Sequence, residues 1–204
     1  MEALLSKLAI AIAAFASTNI DDLLLLSSLF VDAEFQTLSV IVGQFLGMSL
    51  LVLISILAAL FTITIPREWI GLLGFAPLFL GIYRLWKLLN GRPEKSRITT
   101  NVRDFIGKER IKIAWVRSEV LLATLLTVAN GGDNLSVYIP LFSVQRASIP
   151  FFALVFTMMT ALWCLLGYYL TNHRMWRERL KRYGRFAIPF ILIAIGLNVL
   201  SLHR

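Results

Sequence analysis

The stretch Asn-Ile-Asp-Asp at residues 19–22 decides how the whole chain is interpreted, because it places two adjacent carboxylates inside an apolar run over residues 4–31. A charged residue at the centre of a membrane-spanning helix costs about 2.5 to 3.5 kcal/mol on insertion scales. Such residues are retained where they face protein, water or a bound ion. A similar cluster, Asn-Gly-Gly-Asp-Asn at residues 130–134, lies inside a later apolar run. These two acid-and-amide clusters are therefore the candidate functional residues.

The composition predicts an integral membrane protein. Of the 204 residues, 58% are hydrophobic, and the mean hydropathy is +0.76. The formal charge of +8 comes from basic residues that cluster between the apolar runs. This distribution indicates that the basic residues set the orientation of the chain in the membrane and contact anionic lipids on the cytoplasmic face. It argues against nucleic acid as a partner. The single cysteine, Cys164, excludes a disulfide within the chain, and both histidines fall outside the apolar runs, so we expect no zinc site of the His/Cys type and no cofactor.

Six apolar runs are long enough to cross a bilayer, since each crossing needs about 20 residues. Their length without strict alternation indicates helices, and we predict an all-α integral membrane protein with six transmembrane helices. A basic linker at 91–117 divides the chain into a first three-helix half, 1–90, and a second, 118–204. The runs cover approximately residues 4–31, 37–64, 69–89, 118–143, 149–171 and 185–202.

The orientation follows from the distribution of Lys and Arg. Sixteen of them fall at 84–117 and 174–185, and four fall on the opposite face. The positive-inside rule then predicts a cytoplasmic linker and both termini outside the cytoplasm, in the inner (plasma) membrane. Three spans per half make the second half inverted relative to the first. A weak internal repeat supports this arrangement, since residues 21–23 match residues 133–135 at an offset of 112.

The spacing within the clusters predicts a cation site. An Asn at i and an Asp at i+3 lie on one helical face, whereas Asp21 projects about 100° away from Asp22. Both acids can reach one site where a helix is opened, and Gly131 and Gly132 allow such an opening in the fourth run. Carboxylate and amide oxygens suit a divalent cation. Three carboxylates around a dication leave a net charge of about −1, and we expect the empty site to bind protons. The predicted ligands are Asn19, Asp21, Asp22, Asn130, Asp133 and Asn134.

The sequence predicts that these acids have no ion-pair partner within the bilayer, because we expect no basic residue at a comparable depth in any run. Other candidates are weaker. Gln44 lies in a small-xxx-small pattern over 43–47, which favours close helix packing over a ligand role. Thr157 and Thr160 are expected to make interhelical hydrogen bonds rather than line a path. Cys164 is expected to be a small apolar filler rather than a ligand for a soft metal.

The motifs at 18–23, 71–77, 130–134 and 138–142 resemble those of the cadmium-resistance transporters (CadD-like) of the LysE superfamily. The resemblance covers nearly the whole chain. It implies six spans and export of a divalent cation such as cadmium, with the six residues named above as the transport site. Cadmium is a soft ion that prefers thiolate, and neither cluster contains cysteine. An oxygen site also suits manganese, calcium or magnesium, so these cargoes stay open.

Three other functions are weighed against metal export. An amino acid or organic cation, carried elsewhere in the superfamily, would need a counter-charge for a carboxylate. An intramembrane aspartyl protease also uses two membrane aspartates, but the resemblance to its Gly-x-Gly-Asp motif fails at Asn130. A scaffold without transport activity would be indifferent to loss of the acids. We therefore expect a transporter and not an enzyme, with homo-oligomerisation left open.

Overall fold

The computed structural model describes residues 2–32, 35–62, 75–90, 118–171, 189–197 and 200, and within them the predicted all-α class is confirmed. A last helical stretch covers 189–197. The basic linker at 91–117 lies outside the described residues, as do parts of the third and sixth predicted spans. The helices are α1 (Glu2–Leu29), α2 (Thr37–Phe61), α3 (Phe75–Leu89), α4 (Ser118–Asn130), α5 (Gly132–Val144), a 3-10 turn (Arg146–Ser148) and α6 (Ile149–Thr171).

Three helical segments of the described part are long and apolar enough to cross a membrane, namely Leu4–Leu29, Thr37–Phe61 and Arg146–Thr171. The α4–α5 pair makes a fourth if it is counted as one broken span. Large apolar side chains such as Leu53 and Leu165 are exposed on these helices, as expected where lipid replaces water. The chain is therefore a membrane protein.

The predicted opening of the fourth span is confirmed, because α4 and α5 meet at an angle of 65° around Gly131. Gly131 has φ −78°, which any residue adopts, so the break does not depend on a left-handed conformation. The Leu51 side chain occupies the space that a Cβ at residue 131 would fill, so a larger residue there would displace the end of that side chain. By contrast, α1 is a continuous helix through the first cluster. The expectation that an opened helix lets both Asp21 and Asp22 reach one site is therefore wrong for α1.

Small residues bring α2 close to α4. A Cβ on Gly43 would lie 2.5 Å from the Ala123 Cβ, and one on Gly47 would lie 2.6 Å from the Thr127 Cβ. The close packing predicted from the pattern at 43–47 is thus confirmed. This contact matters for the site, because Gln44 lies between the two glycines and is carried against α4 with them.

Aromatic packing and hydrogen bonds hold α1 against α5 and α6. The Trp163 Nε1–H donates to the Asn19 carbonyl at 2.7 Å. The Tyr138 ring packs on Phe156 with their centroids 4.5 Å apart, and Phe15 lies in edge contact with Trp163. These buried rings fix the turn of α1 that carries the first cluster.

Candidate functional site

Two of the predicted residues meet across α1 and α5. Asn19 is fully buried, and its Nδ2 donates to the Phe15 carbonyl and to the Tyr138 Oη, each at 2.9 Å. The Asn134 Nδ2 in turn donates to the Asn19 Oδ1 at 3.2 Å. Asn134 is 1% exposed, and its own Oδ1 is buried without a hydrogen-bond partner in the described part of the chain. An unpaired buried amide oxygen is costly and marks a position that a ligand can fill.

A second pair forms between α1 and the end of α4. Asp22 is 1% exposed, and its Oδ1 accepts a hydrogen bond from the Asn130 Nδ2 at 2.5 Å. Its Oδ2 is buried and has no hydrogen-bond partner among the residues that the structure describes. The Gln44 amide of α2 neighbours the same carboxyl. Asp22 is therefore a buried carboxylate surrounded by amides, with one oxygen still available.

Gln44 is held from the other side by α4. The Thr127 hydroxyl donates to the Gln44 Oε1 at 2.6 Å and also approaches the Ala123 carbonyl at 3.0 Å. The Gln44 Nε2 is buried and has no partner in the described ranges. We call the five side chains around this position the amide ring, and they are Asn19, Asp22, Gln44, Asn130 and Asn134.

The remaining two predicted acids meet around an arginine. The Arg84 Nη2 of α3 lies 3.3 Å from the Asp21 Oδ2, and the same nitrogen is paired with the Asp133 Oδ2. The Arg84 side chain is only 10% exposed. The expectation that no basic side chain could pair with these acids is therefore wrong. Arg84 belongs to the apolar run 69–89, but the count of basic residues assigned it to the cytoplasmic face.

Helix geometry explains why the carboxylates separate into two groups. Asp21 and Asp22 are neighbours on an unbroken helix, so their side chains leave it about 100° apart. Asp21 meets Arg84, whereas Asp22 meets Asn130. In the described residues no three His, Cys, Asp or Glu side chains form a group that could hold a metal. A cation site here would consequently use one carboxylate and several amide oxygens.

Met48 and a cavity adjoin the amide ring. The Met48 Sδ lies 3.8 Å from the Asn134 Nδ2, and the Met48 side chain is 3% exposed. It also lines a cavity of about 240 Å³ between α2 and α6, together with Ser49, Thr157 and Thr160. Both threonine hydroxyls donate to carbonyls four residues earlier in α6, so the expected interhelical hydrogen bonds are wrong. Cys164 packs in the apolar core.

Sequence reasoning missed four residues of this region. Arg84 and Met48 stand in apolar runs without a motif around them, and their partners lie far away in the chain. Tyr138 follows Asn134 by one helical turn, and this spacing on α5 could have associated it with the second cluster. Thr127 precedes Asn130 by three residues, which is the same kind of signal.

Comparison with known proteins gives one match. Neither the curated proteins nor the solved structures contain a match to the chain. A family model described as "Cadmium resistance transporter" matches residues 15–203, which include α2, α3, both clusters, Arg84 and Met48. The match covers nearly the whole sequence and agrees with the resemblance stated above. The chain therefore belongs to the cadmium resistance transporter family.

Proposed function

We propose that this chain is a secondary transporter that exports a divalent metal cation, cadmium first among them, in exchange for protons. The observation that carries the proposal is Asp22, a buried carboxylate with one unpartnered oxygen, set among the amides of the ring. Membership of the family supports metal export. Asn19, Asn130 and Asn134 supply neutral oxygens, which are typical ligands of divalent cations.

The charge of the region supports a dication as cargo. Asp21, Asp22 and Asp133 each carry −1, and Arg84 carries +1, so the four side chains together carry −2. A divalent cation beside Asp22 would neutralise this charge. The three carboxylates alone would leave −1 with the metal bound, as the sequence predicts, and the charge of Arg84 brings this to zero. Neutrality matters because net charge away from water is expensive.

Proton exchange follows from the isolation of Asp22. When the metal leaves, this carboxylate has no basic partner among the described residues. A buried charge without a partner is strongly unfavourable, and a proton is the smallest cation that can replace the metal. Asp21 and Asp133 keep Arg84 throughout, so we assign one exchangeable proton to Asp22. The charge of −1 that then remains belongs to the Arg84 group, in which the Asp21 side chain is 37% exposed to solvent. In this scheme Asp21 and Asp133, which the sequence put among the ligands, shape the field around the metal through Arg84.

We also propose the six-span architecture with two inverted halves. Helix contacts support it, since α1 packs on α6 while α2 packs on α4 and α5. In an inverted repeat these are equivalent contacts, each between the first span of one half and the second span of the other. Gly81 of α3 packs against Ile193, and these two residues are separated by the repeat offset of 112. Such a contact is expected where the pseudo-two-fold axis passes between the third spans.

The orientation stays as the sequence predicts it. Removing Arg84 from the cytoplasmic count leaves the excess of basic residues on that side almost unchanged. The proposal therefore keeps the linker at 91–117 in the cytoplasm, close to anionic lipids, with both termini outside an inner (plasma) membrane.

Arg84 also bears on the two rival functions. It provides the positive charge that an amino acid cargo would need, but two carboxylates already bind it. An aspartyl protease needs two carboxyls that share a proton or a water molecule. Here a guanidinium lies between Asp21 and Asp133, which is unfavourable for that chemistry. Manganese remains the alternative cargo of the same class.

The test is metal uptake into proteoliposomes that contain the purified chain, measured one metal at a time with an imposed pH gradient. Asp22→Asn should reduce cadmium transport by at least about tenfold, since it removes the charge that faces the metal. Glu119→Gln is the matched control, because this carboxylate contacts the backbone N–H of Gln36, away from the ring. Normal transport by Asp22→Asn would refute the site, and absence of metal transport by the unmodified chain would refute the function.

A further inference from the structure

We propose that the Met48 thioether is a ligand of the transported cation, and that it makes the site prefer soft dications such as Cd²⁺ over hard ones such as Mn²⁺, Ca²⁺ and Mg²⁺. This inference rests on the proposed function, since it concerns the same site. It adds a sulfur donor and one further oxygen donor, Gln44, to a ligand set that otherwise contains oxygen alone.

The contacts around the site close into a circuit that includes α2. Asp22 neighbours Gln44, and Gln44 precedes Met48 by one helical turn on the buried face of α2. Met48 contacts Asn134, and Asn134 donates to Asn19. Asn19 precedes Asp22 on α1 by three residues, which completes the circuit. Five side chains from three helices therefore surround one small region.

Three side chains of this circuit have buried atoms without partners in the part of the chain that the structure describes. They are the Asp22 Oδ2, the Asn134 Oδ1 and the Gln44 Nε2. A few buried unpaired groups occur in any protein, but three in one circuit call for a common cause. A bound cation would satisfy the two oxygens directly.

Without a cation, a small movement would let the Gln44 Nε2 donate to the neighbouring Asp22 carboxyl. With a cation beside Asp22, the Gln44 amide can instead turn through 180°. The turned amide would donate from Nε2 to the Thr127 hydroxyl, which can still donate to the Ala123 carbonyl. The Gln44 Oε1 would then take the place that Nε2 now holds. The circuit would present three oxygens, from Asp22, Asn134 and Gln44, beside one sulfur from Met48.

The chemistry of this donor set differs from that of an all-oxygen cage. Thioether sulfur is a soft ligand, whereas calcium, magnesium and manganese favour carboxylate, carbonyl and water oxygens. A neutral sulfur also leaves the charge balance with Asp22 unaltered. Met48 therefore resolves the conflict between a cadmium family and two clusters that contain no cysteine.

Met48 also borders open space beside the amide ring. Its side chain lines the cavity of about 240 Å³ between α2 and α6, and it contacts Asn134 of the ring. Ser49, Thr157 and Thr160 add hydroxyl groups to the wall of this cavity. The unbranched side chain of Met48 can therefore adjust to a bound ion by changing rotamer.

The experiment compares Cd²⁺ with Mn²⁺ transport in proteoliposomes for the unmodified chain, Met48→Leu and Met158→Leu. Leucine conserves the volume of methionine and costs less than about 1.5 kcal/mol in a core, so folding is retained. Met158 is 63% exposed on α6 and serves as the matched control. We expect Met48→Leu to lower kcat/KM for Cd²⁺ at least about tenfold relative to Mn²⁺, and Met158→Leu to leave this ratio unchanged.

A ratio of Cd²⁺ to Mn²⁺ that is unchanged in Met48→Leu overturns the inference, whether both rates hold or both fall. In that case the unmodified chain still transports metal, and the proposed function stands. A chain that transports neither metal overturns the proposed function instead. The two failures are thus distinguishable.

A second measurement detects the bond itself. A Cys164→Ala variant has no thiol, so any sulfur bound to the metal must come from a thioether. X-ray absorption of Cd²⁺ bound to this variant should show sulfur in the first coordination shell. Adding Met48→Leu should remove that sulfur. Sulfur that persists in the double variant, or is absent from Cys164→Ala alone, would contradict a Met48 ligand.

Discussion

Replacing Arg84 with glutamine removes the guanidinium that Asp21 and Asp133 share. At 3.3 Å, the attraction between Arg84 and Asp21 is about 5 kcal/mol at an effective dielectric constant of about 20, and about 1 kcal/mol in water. Because the Asp21 side chain is 37% exposed, the smaller value applies. Removing one partner from a fully buried pair costs about 3 to 5 kcal/mol, and the cost is smaller for Asp133 because its side chain is 22% exposed to solvent. We therefore expect Arg84→Gln to lower the free energy of unfolding by about 2 to 3 kcal/mol, mainly through Asp133.

The assay is a double-mutant cycle on unfolding in mixed micelles, followed by the fluorescence of the five tryptophans. Asp133→Asn in the Arg84→Gln background should recover much of the lost stability, with a coupling energy of about 2 kcal/mol or more. Asp21→Asn should show a coupling below about 1 kcal/mol. A coupling between Arg84 and Asp133 under about 0.5 kcal/mol would refute the ion pair as a structural element.

The same variants test the charge argument through transport. Arg84→Gln changes the charge of the region from −2 to −3, and Arg84→Gln with Asp133→Asn restores −2. If a dication requires neutrality, the double variant should transport cadmium faster than Arg84→Gln alone. Equal rates in the two variants would show that the balance of charge does not control occupancy.

Further predictions concern packing and the ring. Gly47→Ala should destabilise the chain by about 1 to 3 kcal/mol, because its Cβ would lie 2.6 Å from the Thr127 Cβ. Gly132→Ala is the control, since a Cβ at that position would have nothing within 4 Å. Equal midpoints of unfolding in the two variants would contradict the close contact. Tyr138→Phe removes the acceptor for the Asn19 Nδ2 and should cost about 1 kcal/mol in unfolding. It should also weaken cadmium binding in a titration of the purified chain, and unchanged affinity would show that the Asn19 amide is oriented without Tyr138.

The sequence predicts the parts of this molecule that depend on local patterns. Apolar runs indicate the helices, and the pattern at 43–47 indicates the contact of α2 with α4. The pair Gly131 and Gly132 indicates the break between α4 and α5, and the close approach of the Leu51 side chain to Gly131 becomes visible only in the structure. Spacing of i and i+3 places Asn19 and Asp22 on one face, and both do reach side chains of the second cluster.

The roles of Arg84 and Met48 could not be predicted in the same way, because they depend on which helices become neighbours. Arg84 stands near the end of an apolar run, where snorkelling to the membrane surface is the usual behaviour of a long basic side chain. The contact of α3 with α5 instead brings it to Asp133. Within four residues of Met48 in the sequence, the polar or small residues are Gln44, Gly47 and Ser49, a pattern that is ordinary for helix packing. Only the approach of Asn134 therefore identifies Met48 as part of the site.

The two adjacent aspartates of α1 take different tasks because α1 stays helical. An opened helix would have directed both carboxylates at one cation and left it with excess negative charge. The continuous helix sends Asp21 to Arg84 and leaves Asp22 as the carboxylate that faces the amides. Under the proposed function, Arg84 would thereby remove two of the three negative charges from competition for the metal while retaining their field. We infer that a site with one free carboxylate, neutral amide oxygens and a nearby thioether would bind a dication loosely enough to release it, as the proposed export requires.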